Sequence, residues 1–168
     1  MEGATPETQL VANAGDPRVM ARTAAFPGTV TTFGVETEAD VRATRVRSLG
    51  LRGMAATIET AGQAVDVRTP LLGYGQVANL AAAIAVALRF DVPLDVLAGR
   101  VPRCVPQPGR GQVLQIGALS VVDDSYNSSP VALRASLAAV GRERGRRRVA
   151  VLGEMLELGA RSAELHEA

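Results

Sequence analysis

The chain contains no lysine: all 18 of its basic residues are arginine. A Schiff-base lysine, a phosphate-loop lysine and a carbamylated lysine are therefore excluded from this sequence. Tryptophan is also absent and aromatics reach only 3%, so a core must be assembled from Ala, Val, Leu and Ile. Cys104 is the one cysteine, which rules out an internal disulfide and fits a reducing, cytoplasmic setting. It stands between Val101 and Val105 as a small packing residue. His166 is the one imidazole, and no chemistry is assigned to it. The longest apolar run, Leu80 to Leu88, is too short to span a bilayer, and no charged-then-apolar leader follows Met1. With a net charge of +1, neither a nucleic-acid arm nor an acidic tail is in view.

What is present is a chain of 168 residues, 47% of them hydrophobic, long enough for one medium domain or one small domain and part of another. After an unpatterned lead-in, "LVANAGDPRV" reads as a short strand and a turn. "TVTTFGVE" reads as a second strand. "ADVRATRVRSLG", "MAATIET" and "QAVDVRT" alternate apolar and polar residues between glycines, as antiparallel strands do. The period then changes. "QVANLAAAIAVALRF" places Val77, Leu80, Ala81, Ile84 and Leu88 on one helical face, and Pro93 opens a second short helix. "PRCVPQPGRGQ" is broken by Pro and Gly and is expected to link two domains.

Beyond it, "QVLQI" and "LSVVDD" read as strands. A helix follows from Pro130, capped by Ser129, then a strand in "RRRVAVLGEM" and a further helix from Ser162. Strand, helix, strand from Leu119 onward predicts a βαβ unit with a parallel sheet that is left unfinished. Apolar surface should then stay exposed.

Asp123 and Asp124 fall at the end of the predicted strand, where open α/β sheets hold ligands. Adjacent carboxylates there need donors, a metal or a ligand's hydroxyls. The alternative is an Asx turn at Asp124 and Ser125 beside the Ser129 cap. Arg110, flanked by glycines, can grip a phosphate or stack on a base; it also fits a solvated hinge. Asn79, on the first turns of an apolar helix, carries a carboxamide that can pair with an adenine edge, or it is merely satisfied at a helix–loop junction. The arginine-rich "RERGRRR" (142–148) reads as a solvated loop.

Together these segments resemble a known family. "VVDDSYNSSPVALRASL" and "RRVAVLGEMLELGARSAELH", with "ADVRATRVRSLGLRGMAATIET", "VRTPLLGYGQVANLAAAIAVAL" and "VPQPGRGQVL" upstream in order, resemble the Mur ligases of peptidoglycan synthesis from about Leu10 to Ala168. Asp-Asp-Ser-Tyr-Asn points to the branch that adds D-alanyl-D-alanine to UDP-N-acetylmuramoyl-tripeptide. The resemblance implies an α/β fold: the end of a central ATPase domain (1–105) followed by the first part of a Rossmann-like C-terminal domain (106–168).

It further implies ATP-dependent amide ligation through an acyl phosphate. Asn79 would lie at the adenine, Arg110 at the nucleotide and phosphate, and Asp124 at the ribose hydroxyls, with Tyr126 and Asn127 beside them. The family's phosphate loop, its Mg²⁺ ligands and its modified lysine belong upstream of Met1, so a fragment inactive by itself is expected. Gly75-Gln76, Gly15, Ser128-Ser129 and Glu154 stand where the family pattern has other residues. Those departures keep a degenerate paralogue, or a nucleotide-binding or interaction module without catalysis, in play. Ser125-Tyr126-Asn127 disfavours a folylpolyglutamate or cyanophycin-type ligase.

Overall fold

The computed structural model describes residues 3–143 and 147–167. Five strands, β1 (Gln9–Asn13), β2 (Thr29–Val35), β3 (Val41–Ser48), β4 (Met54–Thr60) and β5 (Gln63–Thr69), form one sheet in sequential order. β1, β2 and β3 are mutually parallel, while β4 and β5 are antiparallel to their neighbours. The antiparallel reading holds for β3 to β5, but β2 and β3 run the same way. Parallel neighbours normally need a long crossover. Here only Phe33–Val35 pair with Val41–Ala43, so residues 36–40 have only a short step back to make.

The short helix α1 (Pro17–Thr23) joins β1 to β2, where the sequence reading gave only a turn. Asp16 caps it by accepting the Arg18 N–H at 2.9 Å, and Pro17 occupies its first turn. The long helix α2 (Tyr74–Leu88) lies across the sheet. Val77, Leu80, Ala81, Ile84 and Ala85 of α2 are buried against Val41, Ala43, Met54, Ala56, Ile58 and Val67. Alanine at two of those helix positions lets the backbone come close to the sheet, as a core without large aromatics requires. The next helix, α3 (Leu94–Arg100), closes the edge with Leu94 and Val101.

One irregularity joins sheet and helix. The β3–β4 register shifts between Thr44 and Arg47, and Arg45 takes a left-handed φ of 52°. The released Val46 N–H donates to Glu36 Oε1 at 2.9 Å, and its carbonyl accepts the Tyr74 hydroxyl at 3.3 Å. The bulge thus ties the first residue of α2 to the sheet.

The remainder is a separate hairpin, β6 (Gln112–Ile116) and β7 (Leu119–Asp123), followed by α4 (Pro130–Gly141) and α5 (Ser162–Glu167). Ser129 caps α4 as the sequence predicts, its hydroxyl accepting the Ala132 N–H at 3.3 Å. The predicted strand ending at Gly153 is not formed: residues 147–156 carry no regular structure, and Val151 is 94% exposed. The βαβ unit is therefore not closed among the described residues, and β7 pairs only antiparallel with β6. The alternation of Val149 and Val151 is real. A strand, however, exists only through its partner, and adding to a two-stranded hairpin gains little. Ile116, Leu119 and Leu152 accordingly stay exposed. The arginine-rich segment lies partly outside the described residues, which omit 144–146. Among the described residues no helix is long and apolar enough to cross a membrane.

Candidate functional site

The loop at 107–111 and the loop leaving β7 meet face to face. Gly109 is buried with φ +73°, a conformation open to glycine, and its carbonyl accepts the Tyr126 N–H at 3.0 Å. A Cβ on Gly109 would stand 3.1 Å from both Cβ and N of Tyr126. This close approach carries the next residue, Arg110, over the Tyr126 ring, its guanidinium carbon 4.2 Å from the ring centroid. Both side chains remain exposed. The Pro- and Gly-broken segment is thus held where Gly109 crosses Tyr126, although its sequence reads as a simple linker.

The two aspartates divide their work. Asp123 Oδ1 accepts the Ser125 N–H at 3.2 Å and the Ser125 hydroxyl at 2.6 Å, so the Asx turn belongs to Asp123 rather than Asp124. Asp124, one residue past β7 and half-buried, accepts the Ser136 hydroxyl of α4 on Oδ2 at 2.5 Å. Its Oδ1 has no hydrogen bond among the described residues. β7 is antiparallel, so Asp124 follows the end of a hairpin strand and not, as predicted, of a strand in a parallel sheet.

Helix α4 is also tied to the main sheet. Glu143, just past its end, accepts the Leu51 N–H on Oε1 at 2.8 Å, in the 3₁₀ turn Gly50–Arg52 that joins β3 to β4. At the start of α2, Gly73 faces Ala135 of α4, and Leu72 approaches Gly111. The amino end of α2 therefore borders the two loops. Asn79 lies further along α2 and is exposed; its Nδ2 donates only a long 3.5 Å bond to Gln76 Oε1. Asn127 is exposed beside Tyr126. Arg110 and Tyr126 are in contact, Asp124 and Asn127 belong to the same loop as Tyr126, and Asn79 makes no hydrogen bond to any of them among the described residues.

Sequence reasoning missed Ser136 and Glu143. Ser136 had one signal, a hydroxyl placed where the helical period calls for an apolar residue. Glu143 had none, because its partner is 92 residues away. His166 turns out to be structural: its Nδ1 donates to the Ser162 carbonyl at 2.8 Å and its Nε2 accepts the N–H of buried Met155 at 3.0 Å. Two open clefts of about 680 and 540 Å³ lie elsewhere, the first lined by residues such as Gln63 and Asp91, the second by residues such as Arg52 and Arg68.

Among the described residues no three His, Cys, Asp or Glu side chains gather as a metal's ligand set. These residues therefore offer no all-protein cage for Mg²⁺. What the edge offers is a half-free carboxylate to accept hydroxyl protons, a guanidinium for an anion, and a stacked aromatic.

The architecture is that of an α/β protein: a mixed sheet with a helix-covered face, joined through a glycine-bearing loop to an acidic strand end. Residues 1–87 match the Mur ligase middle domain, and residues 109–168 match the Mur ligase glutamate ligase domain. The chain belongs to the Mur ligase family. It is 33% identical over 165 residues to the UDP-N-acetylmuramoyl-tripeptide--D-alanyl-D-alanine ligase of Mycobacterium tuberculosis, covering 94% of this chain and 32% of that protein. The Escherichia coli enzyme of the same name is 33% identical over 115 residues, covering 68% of this chain and 25% of that protein. In structure it is similar to MurF from Acinetobacter baumannii, with a TM-score of 0.84, 28% identity, and coverage of 96% of this chain and 35% of that one. It is also similar to the Thermotoga maritima MurF ligase in complex with ADP, with a TM-score of 0.82, 27% identity, and coverage of 96% and 37%. The chain spans 25–37% of the length of these relatives.

Proposed function

We propose that this chain forms part of an ATP-dependent ligase that joins D-alanyl-D-alanine to UDP-N-acetylmuramoyl-tripeptide in the cytoplasm. In that reaction the γ-phosphoryl group passes from ATP to the peptide's carboxylate, leaving ADP. The amine of D-alanyl-D-alanine then attacks the acyl phosphate, forming the amide and releasing phosphate. Residues 1–105 are the later part of the central ATPase domain and residues 106–168 the earlier part of the C-terminal domain. The chain's own residues bind and orient the nucleotide: Asp124 accepts from the ribose hydroxyls, Arg110 meets phosphate, and Asn79 pairs with the adenine edge. Tyr126 and Asn127 flank the sugar. Mg²⁺, which would neutralise phosphate charge in the complete enzyme, takes its ligands from outside these residues.

One observation carries the reading. Asp123 supplies the whole Asx turn, which leaves Asp124 free of that duty, with one oxygen on Ser136 and the other open. A turn residue has no need of that second carboxylate. The test is ATP affinity, measured by calorimetric titration of the chain carrying Asp124→Asn or Asp123→Asn. Losing a charged hydrogen bond costs about 1.5–3 kcal/mol, so Asp124→Asn should weaken ATP by at least tenfold. Asp123→Asn should mainly loosen the loop. Unchanged ATP affinity in Asp124→Asn, with both variants equally destabilised, would make the pair purely structural.

A further inference from the structure

Ser136 is a hydroxyl in an apolar place. Along α4, Pro130, Leu133, Ser136, Ala139 and Val140 are the covered positions, while Val131, Ala132, Arg134, Ala135, Leu137 and Ala138 face solvent. A serine inside a helix ordinarily points to water or bonds back to its own preceding turn. This one reaches off the helix to Asp124 Oδ2 at 2.5 Å, the short distance of a charge-assisted O–H···O⁻ bond. Asp124 in turn has little else to hold it. It stands beyond the last ladder pair, Gln112 with Asp123, and the neighbouring Asx turn is made by Asp123. Among the described residues the Ser136 hydroxyl is the hydrogen-bond donor that the Asp124 carboxylate has.

We infer that Ser136 is a positioning residue for nucleotide binding: it fixes the Asp124 carboxylate so that Oδ1 is presented to a ligand hydroxyl, and the ligand class it serves is a ribonucleotide with its sugar diol intact. The inference rests on the nucleotide reading above. Ser136 donates its single proton to Oδ2, so Oδ2 is committed and the rotamer is set before the ligand arrives. Preorganisation of this kind raises affinity by removing an ordering cost at binding. It acts only on ligands that use the carboxylate. Helix α4 is held separately by its Ser129 cap and by Glu143 on Leu51, so removing the Ser136 hydroxyl leaves the helix docked.

The experiment titrates the chain, as wild type, Ser136→Ala and Ser136→Thr, with ATP and with 2′,3′-dideoxy-ATP, while circular dichroism verifies the helix content of each variant. Wild type should prefer ATP. Ser136→Ala should weaken ATP by about two- to tenfold, the range of one ordinary hydrogen bond, and leave the dideoxy nucleotide unchanged. Ser136→Thr, which keeps the hydroxyl, should restore the preference. Equal losses for both nucleotides, or an undiminished preference for ATP in Ser136→Ala, would overturn the positioning role while leaving Asp124 at the ribose. A wild-type chain that binds both nucleotides equally, or neither, would overturn the Asp124 reading and the Ser136 role with it.

Discussion

Gly109→Ala tests how the two loops are held, and Gly62→Ala supplies its control. Both glycines have positive φ, +73° and +83°. An alanine forced into that region costs about 1–2 kcal/mol at either site. The surroundings differ. A Cβ at Gly62 meets nothing within 4 Å, whereas at Gly109 it meets Tyr126 Cβ and N at 3.1 Å. Relief requires Tyr126 to retreat, but its N–H is the donor to the Gly109 carbonyl at 3.0 Å. Lengthening that bond forfeits about a further 1 kcal/mol, and the Arg110 stack on Tyr126 goes with it. Gly109→Ala should therefore destabilise the chain by about 1 kcal/mol more than Gly62→Ala. Urea unfolding gives the difference, and amide exchange at Tyr126 should accelerate in the Gly109 variant alone. Equal destabilisation, with Tyr126 as protected as in wild type, would refute the claim that this crossing is tightly packed.

Two further outcomes follow from the charged contacts. Glu59 accepts the Thr44 hydroxyl at 2.7 Å and the Arg42 guanidinium at 2.6 Å, which hold its carboxyl below the ordinary value of 4.5, the threonine bond contributing most. A depressed carboxyl stabilises the fold above its unfolded value and loses that contribution as pH falls through the folded one. Glu59→Gln should thus melt below wild type at neutral pH, with the gap narrowing as pH falls from 4.5 through the lower folded value; a gap of constant size would exclude the charge as its source. Glu143→Ala should cost about 0.5–1.5 kcal/mol and speed exchange of the Leu51 amide, while Glu143→Gln keeps an acceptor and most of the protection; identical exchange in both would remove the tether.

The large elements were readable because they follow from local rules. Small apolar residues at helical spacing give α2, alternation between glycines gives β3 to β5, and Ser129-Pro130 gives the start of α4. Helix α1 was legible too, through Asp16 and Pro17, but Asp-Pro signals a turn as readily as a cap, and a seven-residue helix burying nothing leaves no apolar stripe. The strand expected before Gly153 fails for a different reason: alternation records a preference, and only a partner turns it into structure. At the site, residue types were legible and their assignments were not. That Asp123 and not Asp124 makes the Asx turn depends on side-chain rotamers, and the bonds from Asp124 to Ser136 and from Glu143 to Leu51 cross 12 and 92 residues. The left-handed Arg45 in the β3 bulge carries no glycine to announce it.

The adjacent carboxylates are tolerable because their donors come from different directions. Asp123 is neutralised locally by the N–H and hydroxyl of Ser125, whereas Asp124 draws on a helix twelve residues further along the chain. Each negative charge is met by its own hydrogen bonds. That distribution also limits the chemistry of the edge. Asp124 can accept hydroxyl protons, and Arg110, being always charged, can attract an anion but cannot relay a proton. What these two residues bring to the edge is a hydrogen-bond acceptor and a fixed cation. On the proposed reading, stabilising the transferred phosphoryl group would fall to other parts of a complete ligase, and these residues would set where the sugar and base lie when transfer occurs.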